Sequence, residues 1–352
     1  MEQTTSQRNV YLSPGLILSG VGGRYTIELD NIRADAPLHG QTVVCRAKGA
    51  FRHDCITPLP GDRVTISYSD ASFRRQGDTI LPDPDGTDIR IEKIHPRYNE
   101  LIRPPMANLD MLFITLAAAA PAPLLPMVDK LLCIAEHNRI EPVVIIGKRD
   151  LQPAYADELL AIYQNAGFAA FGVSAQTGEG VDALRAYIAS QTPSADNKRK
   201  IAAFAGASGV GKSTLMNLLF PSLSQETGSV SEKTERGRHT TRQVTIFPAQ
   251  RLHLTDGSFG GFYIADTPGF SLLDLERFDF FEKDDLPLTM REFRPYLGQC
   301  RYTDCTHTKE QDCAIVIALQ QGKIAPCRHE SFLIMYNELK DKRPWNKPQR
   351  KF

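Results

Sequence analysis

Hydrophobic and polar residues alternate in short runs through the first hundred residues of the chain. The runs lie at 15–18, 25–29, 42–47, 63–68 and 89–94, and glycine, proline, Asp and Asn punctuate the stretches between them. Alternation with a period of two over such short segments is typical of strands that bury one face. The pattern predicts a small all-β barrel or sandwich at 11–96, after a disordered N-terminus at 1–10.

The pattern changes after a proline-rich stretch at 97–105, which we interpret as a linker because prolines favour extended backbone and interrupt strand ladders. From 106 to 275, apolar runs alternate with helical periodicity, which is typical of a parallel sheet covered by helices. Strands are predicted at 111–116, 143–146, 169–173, 201–205, 243–247 and 262–265, and helices at 124–137, 157–166, 181–189 and 214–220. The last segment, 276–352, is predicted to be a helical domain with a basic tail.

Composition narrows the class of protein only a little. The 352 residues carry 41 Lys and Arg against 41 Asp and Glu, so global charge does not indicate a nucleic-acid, membrane or acidic partner. No apolar run approaches the roughly 20 residues that span a bilayer, and the N-terminus lacks the pattern of a secretory signal. Seven cysteines are an odd number. We therefore expect a cytoplasmic, reducing location in which clustered cysteines bind metal rather than form disulfides.

The strongest short motif lies at 206–213, Gly-Ala-Ser-Gly-Val-Gly-Lys-Ser, which matches G-x-x-x-x-G-K-[ST] between a predicted strand and a predicted helix. In that context, backbone N–H groups and the helix N-terminus hold phosphate oxygens, whereas a plain glycine-rich turn is the alternative. We predict that Lys212 reaches the β and γ phosphates and that the Ser213 hydroxyl ligates Mg2+. The predicted nucleotide contacts here are Gly206, Ala207, Ser208, Gly209, Val210, Gly211, Lys212, Ser213 and Thr214.

A second phosphate-side element is the apolar run at 262–266, which ends in an acid and leads into Thr-Pro-Gly at 267–269. An aspartate at a strand end beside a phosphate loop can hold Mg2+, usually through water. We predict that role for Asp266, and we predict that the backbone N–H of Gly269 contacts the γ-phosphate. Alone, this tetrapeptide would more often be a β-turn.

Between these two elements lies a polar segment, 229–242, with few apolar anchors. A threonine hydroxyl there would complete the Mg2+ shell when a γ-phosphate is present and would order the loop. Thr240 and Thr241 both fit this role, and their spacing does not choose between them. His239 is a candidate catalytic residue, and a solvated loop histidine is the alternative.

Two strand ends upstream carry candidates for base recognition. Guanine is usually read by Asn-Lys-x-Asp, in which the carboxylate accepts hydrogen bonds from N1 and N2 and the lysine stem covers the base. The chain has Gly-Lys-Arg-Asp at 147–150, so Gly147 supplies no amide and the prediction of guanine specificity is weakened. A second base-contacting loop is expected at 174–175. The predicted base contacts are Gly147, Lys148, Arg149, Asp150, Ser174 and Ala175.

Soft metal ligands are concentrated near the C-terminus in the spacing Cys-x4-Cys-x-His-x5-Cys. Four such ligands complete a closed tetrahedral Zn2+ site, which leaves no open position for chemistry and therefore has a structural role. Separately buried cysteines are the alternative. The predicted ligands of one zinc per chain are Cys300, Cys305, His307 and Cys313. Cys45, Cys55 and Cys133 are scattered and are interpreted as small buried hydrophobes.

Basic and aromatic residues are interspersed in the barrel region. This composition is compatible with stacking bases and neutralising phosphates of a nucleic acid, although basic residues on strand faces are usually just solvated. The residues are Arg46, Lys48, Arg52, Arg63, Arg74 and Arg75, with Tyr25, Phe51, Tyr68 and Phe73 nearby.

The base-reading candidates precede the phosphate loop in the chain, whereas in ordinary GTPases they follow it. In this order, and in the motifs at 206–214, 237–241 (Gly-Arg-His-Thr-Thr) and 266–269 together with the tail cysteines, the sequence resembles the circularly permuted GTPases of the RsgA/YjeQ family. The resemblance extends from about residue 15 to about residue 336. It departs from the family pattern at Gly147, where the family has Asn.

The resemblance implies an N-terminal OB-fold barrel, a central circularly permuted P-loop GTPase domain and a C-terminal helical zinc-binding domain. It implies a slow GTPase that uses GTP and Mg2+, is stimulated by the small (30S) ribosomal subunit, binds its rRNA and assists its late maturation. Phe270 lies where other GTPases have a water-orienting glutamine, which fits slow intrinsic hydrolysis. We expect a monomer without a membrane partner. An ATP-dependent enzyme such as a kinase, and a non-catalytic RNA-binding module, are the alternatives.

Overall fold

The structure is a computed structural model that describes residues 9–30, 37–49, 51, 56–76, 79–83, 88–102, 104–191, 199–220, 244–248, 262–266 and 282–340. The chain forms two compact units, and the main division between them falls between Asn108 and Leu109. Within the described ranges, no helix has both the length and the apolar character needed to cross a bilayer.

The described residues before Asn108 form nine strands, and five of these strands close into a barrel. The strands are β1 (Val10–Val21), β2 (Arg24–Leu29), β3 (Thr42–Ala47), β4 (Arg63–Ser69), β5 (Phe73–Gln76), β6 (Thr79–Pro82), β7 (Arg90–Ile94), β8 (Glu100–Leu101) and β9 (Met106–Ala107). The barrel has the strand order β1-β2-β3-β7-β4, and β5 and β6 form a separate pair. The barrel predicted from the alternating runs is confirmed.

One apolar face on each strand produces the barrel core. In β4, Val64, Ile66 and Tyr68 are buried, and the residues between them are partly exposed. Strand β1 is longer than its predicted run because it pairs with β4 from Val10 to Leu16 and with β2 from Gly15 to Val21. Cys45 lies in this core and is fully buried, which agrees with its interpretation as a small buried hydrophobe.

The stretch that the prolines indicated as a linker begins at Arg97, whose side chain is bound to the first unit. Arg97 donates from Nε and Nη2 to the two carboxylate oxygens of Asp62 at 2.6 and 2.7 Å. The Asp62 side chain is fully buried, and this burial raises its pKa while the charge and hydrogen bonds of Arg97 oppose that rise. A bidentate guanidinium–carboxylate pair satisfies such a buried charge, and hydrophobic periodicity does not reveal it.

The strands after Leu109 form a six-stranded sheet. Its strands are β10 (Met111–Ala117), β11 (Glu141–Gly147), β12 (Ala169–Gly172), β13 (Lys200–Gly206), β14 (Thr245–Pro248) and β15 (Phe262–Asp266), in the order β12-β11-β10-β13-β15-β14. Its helices are α1 (Leu125–His137), α2 (Pro153–Asn165), α3 (Val181–Ser190) and α4 (Lys212–Leu219). All seven residues of β10 are buried, as expected for a central parallel strand covered on both faces.

The parallel arrangement decides where the functional loops lie. Strand β10 pairs in parallel with β11 and β13, β11 pairs with β12, and β13 pairs with β15. The carboxyl ends of these five strands therefore meet at one edge of the sheet. Ligands of open α/β sheets bind at this edge.

The C-terminal part of the chain consists of short helical segments around the predicted zinc ligands. They are α5 (Leu286–Thr289), a 3-10 segment (Arg291–Tyr296), α6 (Ala314–Gln320) and α7 (Pro326–Lys340). Contacts group the described part of these segments in one compact unit with most of the sheet.

A buried charged cluster explains this grouping. Arg328 of α7 is 1 % exposed, and its Nε donates to Oε1 of Glu292 at 2.6 Å. Its Nη1 lies 2.5 Å from Oδ1 of Asp129 in α1. Asp129 also accepts a hydrogen bond from the Tyr163 hydroxyl of α2 at 3.1 Å. Four buried polar side chains thus join α7 and the 3-10 segment to helices that cover the sheet.

Candidate nucleotide, metal and RNA sites

The predicted phosphate loop lies between the end of β13 at Gly206 and the start of α4 at Lys212. Gly206 has a φ of +150°, and a Cβ there would overlap the carbonyl oxygen of Thr115 on the neighbouring strand. Only glycine satisfies both conditions. Ser213 and Thr214 lie exposed in the first turn of α4. This strand–loop–helix arrangement presents backbone N–H groups and the positive end of a helix at the functional edge of the sheet.

Lys212 and Asp266 form the charged part of this site. Burial lowers the pKa of Lys212, and the charge of Asp266 partly opposes this change. Burial raises the pKa of Asp266, and the charge of Lys212 partly opposes that change. Each group is therefore incompletely compensated by its surroundings. A phosphate beside Lys212 and a divalent cation beside Asp266 would supply the missing charge, and the carboxylate and the Ser213 hydroxyl are oxygen ligands of the kind that Mg2+ prefers.

The first predicted base-reading turn is connected directly to the predicted phosphate loop. Lys148 has a φ of +59°, and its Nζ donates to the carbonyl oxygens of Ala120 at 2.5 Å and Gly209 at 2.9 Å. A Cβ on Gly147 would lie 3.3 Å from the carbonyl oxygen of Val210, so this position also borders the phosphate loop. Sequence spacing alone does not indicate these contacts, since Ala120 and Gly209 lie 28 and 61 residues from Lys148.

Asp150 is the candidate for reading the base edge. It lies in a 3-10 turn, Arg149–Leu151, directly after β11 and is partly exposed. Its carboxylate forms no hydrogen bond or ion pair with the other residues that the structure describes. Both oxygens therefore remain available to accept hydrogen bonds from a ligand.

The second base-reading loop follows β12. Ser174 is fully buried, and its Oγ accepts a hydrogen bond from the backbone N–H of Thr177 at 3.1 Å. The backbone of Ser174 also pairs with Glu179 and Gly178 at 2.9 Å each. Its side chain therefore shapes the loop, and the next residue, Ala175, is partly exposed.

Several predicted residues lie outside the ranges that the structure describes. They are His239, Thr240, Thr241, Gly269 and Phe270, and in the barrel Arg52 and Cys55. Their roles remain predictions. Among the other scattered cysteines, Cys133 of α1 is fully buried, which agrees with its interpretation as a buried hydrophobe.

The four predicted zinc ligands converge, with their ligand atoms all within 4.8 Å of one another. Sγ of Cys300 lies 3.8 Å from Sγ of Cys313, and Nδ1 of His307 lies 3.5 and 3.6 Å from these two sulfurs. Zn–S bonds of about 2.3 Å and Zn–N bonds of about 2.05 Å at tetrahedral angles require about 3.8 Å between sulfurs and about 3.6 Å between sulfur and nitrogen. The donor set and its spacing fit Zn2+.

The loop that carries these ligands is held by residues that the spacing did not single out. The Glu310 carboxylate accepts hydrogen bonds from the backbone N–H groups of Thr306 and Thr308 at 2.9 Å and of Lys309 at 3.1 Å. Partial burial would raise the pKa of Glu310, but hydrogen bonds, first from the Thr306 side chain, lower it to about 2. Nε2 of His329 is 2.9 Å from the carbonyl oxygen of His307. The sequence feature that could have indicated this role of Glu310 is its position between two predicted ligands, His307 and Cys313.

The basic surface of the barrel is smaller than the sequence indicated. Tyr68 and Phe73 are buried, so they are not free to stack on bases. Arg63 pairs with Asp30 at 3.1 Å, and Lys48 pairs with Glu92. Strand alternation places these aromatic rings inward, and nearby acids neutralise two of the cations.

Three other arginines form a row across neighbouring strands, which we call the arginine row. Arg24 of β2 lies opposite Arg46 of β3, and Arg46 lies opposite Arg90 of β7. All three are exposed, and none forms an ion pair with another residue in the described ranges. An open cavity of about 700 Å3 next to them is lined by Arg24, Arg46, Tyr25 and Phe51, among others.

A parallel sheet with this phosphate loop, an acid at a neighbouring strand end, and base-reading turns that precede the loop defines a circularly permuted P-loop GTPase. The chain belongs to the RsgA GTPase family. Residues 94–276 match the family described as RsgA GTPase, and residues 14–72 match the RsgA N-terminal domain.

Individual relatives agree with this assignment over almost the whole chain. A protein of Agathobacter rectalis named small ribosomal subunit biogenesis GTPase RsgA is 36% identical over 334 residues, 94% of this chain and 99% of that protein. A protein of the same name from Caldanaerobacter subterraneus is 36% identical over 329 residues, 93% of this chain and 96% of its own.

Solved structures agree as well. The crystal structure of YjeQ from Thermotoga maritima matches with a TM-score of 0.71 at 29% identity, covering 95% of this chain and 100% of YjeQ. YloQ, described as a circularly permuted GTPase, matches with a TM-score of 0.66 at 27% identity, covering 98% of this chain and 99% of YloQ. The predicted family, fold class and GTPase activity are confirmed, and GTP, GDP and Mg2+ are the ligands that this class implies.

Proposed function

We propose that this chain hydrolyses GTP on the small ribosomal subunit and assists the late maturation of that subunit. The observation that carries the proposal is the phosphate site, Lys212 and Asp266 with the glycine loop, in a chain that also presents an arginine row with no ion pair among the described residues. The names of the two relatives, small ribosomal subunit biogenesis GTPase RsgA, support the ribosomal role. In this proposal the chain acts in the cytoplasm as a monomer.

In this reaction the residues of the phosphate site position the phosphates and neutralise their negative charge. The Lys212 ammonium faces the oxygens of the β and γ phosphates, where negative charge is concentrated. Ser213 and Asp266 would hold Mg2+, which would supply further charge neutralisation of the phosphates, and one of Thr240 and Thr241 would be a further ligand. Gly269 offers its N–H to the γ-phosphate, and His239 positions the attacking water. Because Phe270 has no group that orients water, intrinsic turnover is slow and the bound subunit stimulates it.

Cys300, Cys305, His307 and Cys313 hold one Zn2+ in a structural role. The closed ligand set leaves no open position for a substrate. The zinc therefore stabilises the C-terminal segments and takes no part in hydrolysis.

The arginine row is the part of the barrel that contacts rRNA. Like charges directly opposite each other on neighbouring strands destabilise a sheet, so three in a row are unfavourable in the free barrel. The negative charge of an RNA backbone would relieve that repulsion. Tyr25 and Phe51, which line the adjoining cavity, provide rings on which an unpaired base can stack.

Steady-state turnover of GTP and of ATP, each with and without small subunits, tests the reaction. We expect GTP to be preferred and subunits to accelerate its hydrolysis. A preference for ATP would favour a kinase-like enzyme, and absence of any turnover would favour a non-catalytic RNA-binding module.

Cosedimentation with small subunits across a salt series tests the RNA contact. Replacing Arg24, Arg46 and Arg90 together by Ala should weaken binding and reduce the salt slope by about one per lost phosphate contact. The control replaces three other basic residues of the first unit, Arg63, Arg74 and Lys93, and so removes the same charge. Equal losses in the two variants would show that total charge, rather than the arginine row, determines binding.

A further inference from the structure

Arg149 connects the two base-reading loops at the edge of the sheet. Its Nε lies 2.8 Å from Oε1 of Glu179, in the loop after β12, and its Nη1 lies 2.7 Å from Oδ1 of Asp157, in α2. Its backbone N–H donates to the carbonyl oxygen of Val173 at 3.2 Å. One residue therefore ties the turn that carries Asp150 to the loop that carries Ala175.

The neighbouring backbone accommodates this side chain. A Cβ on Gly172 would lie 2.9 Å from Nη1 and 3.2 Å from Cδ of Arg149. Any larger residue at 172 would push the guanidinium out of its position. Glycine at the end of β12 thus leaves the space that the Arg149 side chain occupies.

The turn at 147–150 needs such a support because its first residue offers none. Gly147 has no side chain with which to fix the turn, and the Asp150 carboxylate has no partner among the described residues. Lys148 holds the side of the turn that faces the phosphate loop, through Gly209. Arg149 holds the side that faces the second base-reading loop.

We propose that Arg149 is a positioning residue for guanine specificity, which sets the distance between the Asp150 carboxylate and the backbone of Ala175. The proposal rests on the proposed function, since it concerns how the base of GTP is read. A carboxylate accepts hydrogen bonds from N1 and the 2-amino group of guanine only when it is held at the correct place. Loosening the turn should therefore weaken recognition of the 2-amino group and leave phosphate binding intact.

Equilibrium binding of GDP, IDP and ADP to the full-length protein tests this role, with Mg2+ and inorganic pyrophosphate as a probe of the phosphate site alone. IDP lacks the 2-amino group, so the GDP:IDP affinity ratio reports the Asp150 contact. In Arg149→Ala, the affinity for GDP should fall roughly tenfold, the equivalent of one well-aligned hydrogen bond to a charged group. The affinity for IDP should fall less, and that for pyrophosphate should not change.

Two further variants separate positioning from a general loss of structure. Arg149→Lys keeps the charge but cannot bridge two carboxylates with a planar fork. Its GDP:IDP affinity ratio should therefore lie between those of Arg149→Ala and the parent. Glu179→Gln keeps Arg149 in the chain but removes the charge of one of its two partners. It should therefore also lower the GDP:IDP affinity ratio. The control Arg63→Ala removes an arginine–carboxylate pair from the barrel and should leave every nucleotide affinity unchanged.

The outcomes distinguish the inference from the function on which it rests. A parent protein that binds ADP as well as GDP would overturn both. A parent that prefers GDP, with an unchanged GDP:IDP ratio in both Arg149→Ala and Glu179→Gln, would overturn only the role of Arg149. A fall in pyrophosphate affinity equal to the fall in GDP affinity would also overturn it, because the effect would then not be specific to the base.

Discussion

Replacing Arg328 by Met should destabilise the second unit far more than replacing an exposed arginine. The Arg328 side chain is 1% exposed and pairs with two carboxylates, Asp129 and Glu292, whose side chains are 0% and 4% exposed. Its guanidinium also lies 5.8 Å from the ring centre of Tyr163 and 5.5 Å from that of Phe168. Methionine fills much of the volume but leaves two buried carboxylates without a cation.

The magnitude follows from the cost of an uncompensated buried charge. Removing one partner of a buried ion pair costs about 3–5 kcal/mol of unfolding free energy. For a unit of this size, each kcal/mol shifts the melting temperature by about 2–4 °C, so the expected fall is about 6–20 °C.

The loss should also depend on pH. Burial raises the pKa of Asp129 in the parent, and the charge of Arg328 opposes part of that rise, so its removal raises the pKa further. A carboxyl whose folded pKa exceeds its unfolded value of about 3.9 stabilises the fold below that value and loses this contribution as pH rises. The difference between Arg328→Met and the parent should therefore be smaller near pH 4 than near pH 7.

Scanning calorimetry and urea unfolding, each followed at several pH values, measure these changes. The control is Arg185→Met in α3, whose ion pair with Asp182 is exposed and should contribute less than about 1 kcal/mol. Replacing Arg328, Asp129 and Glu292 together by apolar residues should recover most of the stability, because no charge is then left buried. A loss below about 1 kcal/mol in Arg328→Met would refute the reasoning.

Three further predictions concern the functional sites. Lys212→Ala should abolish most GTP turnover in a folded protein, since the cation facing the β and γ phosphates is lost; unchanged steady-state hydrolysis would contradict its assignment. Asp150→Asn should weaken guanine and favour xanthine nucleotides, because an amide accepts at only one end; an unmoved GTP:XTP affinity ratio would remove Asp150 from the base site. Metal analysis of protein purified without chelators should find one zinc per chain, and Glu310→Gln should release zinc to a competing chelator about 10–100-fold more readily. Retention equal to that of Glu330→Gln, an exposed control on α7, would show that Glu310 does not support the site.

Local patterns predicted the elements of the fold well because each pattern is set by neighbours in the sequence. The strand predicted at 143–146 is Glu141–Gly147 in the structure, so its predicted bounds were close. They were close because burial on both faces of the sheet gives a continuous apolar run. The predicted starts of the helices were less accurate. Helix α2 begins at Pro153 rather than 157, because its first turn carries little apolar periodicity, and α4 begins at Lys212 because phosphate-site residues occupy its first turn.

Contacts between distant residues explain what the sequence could not reveal. The motif at 206–213 is contiguous and was therefore recognisable, whereas Arg97 meets Asp62 across 35 residues and Arg291 meets Glu136 across 155. The same limit applies to Lys148 and to the pairing of Lys48 with Glu92, which removed one expected RNA contact. A side chain's type shows what it can bind, but only the fold shows which partner it meets.

The distance along the chain between Asp129 and Arg328 has a consequence for synthesis. Strands β10, β11 and β12 and helices α1 to α3 are contiguous and pair with one another in sequence order, so this half of the sheet can assemble as it leaves the ribosome. Asp129 is then translated about 200 residues before the arginine that compensates it. Until α7 emerges, the nascent chain carries an acid on α1 that must stay hydrated or protonated, and that helix reaches its final packing only near the end of translation.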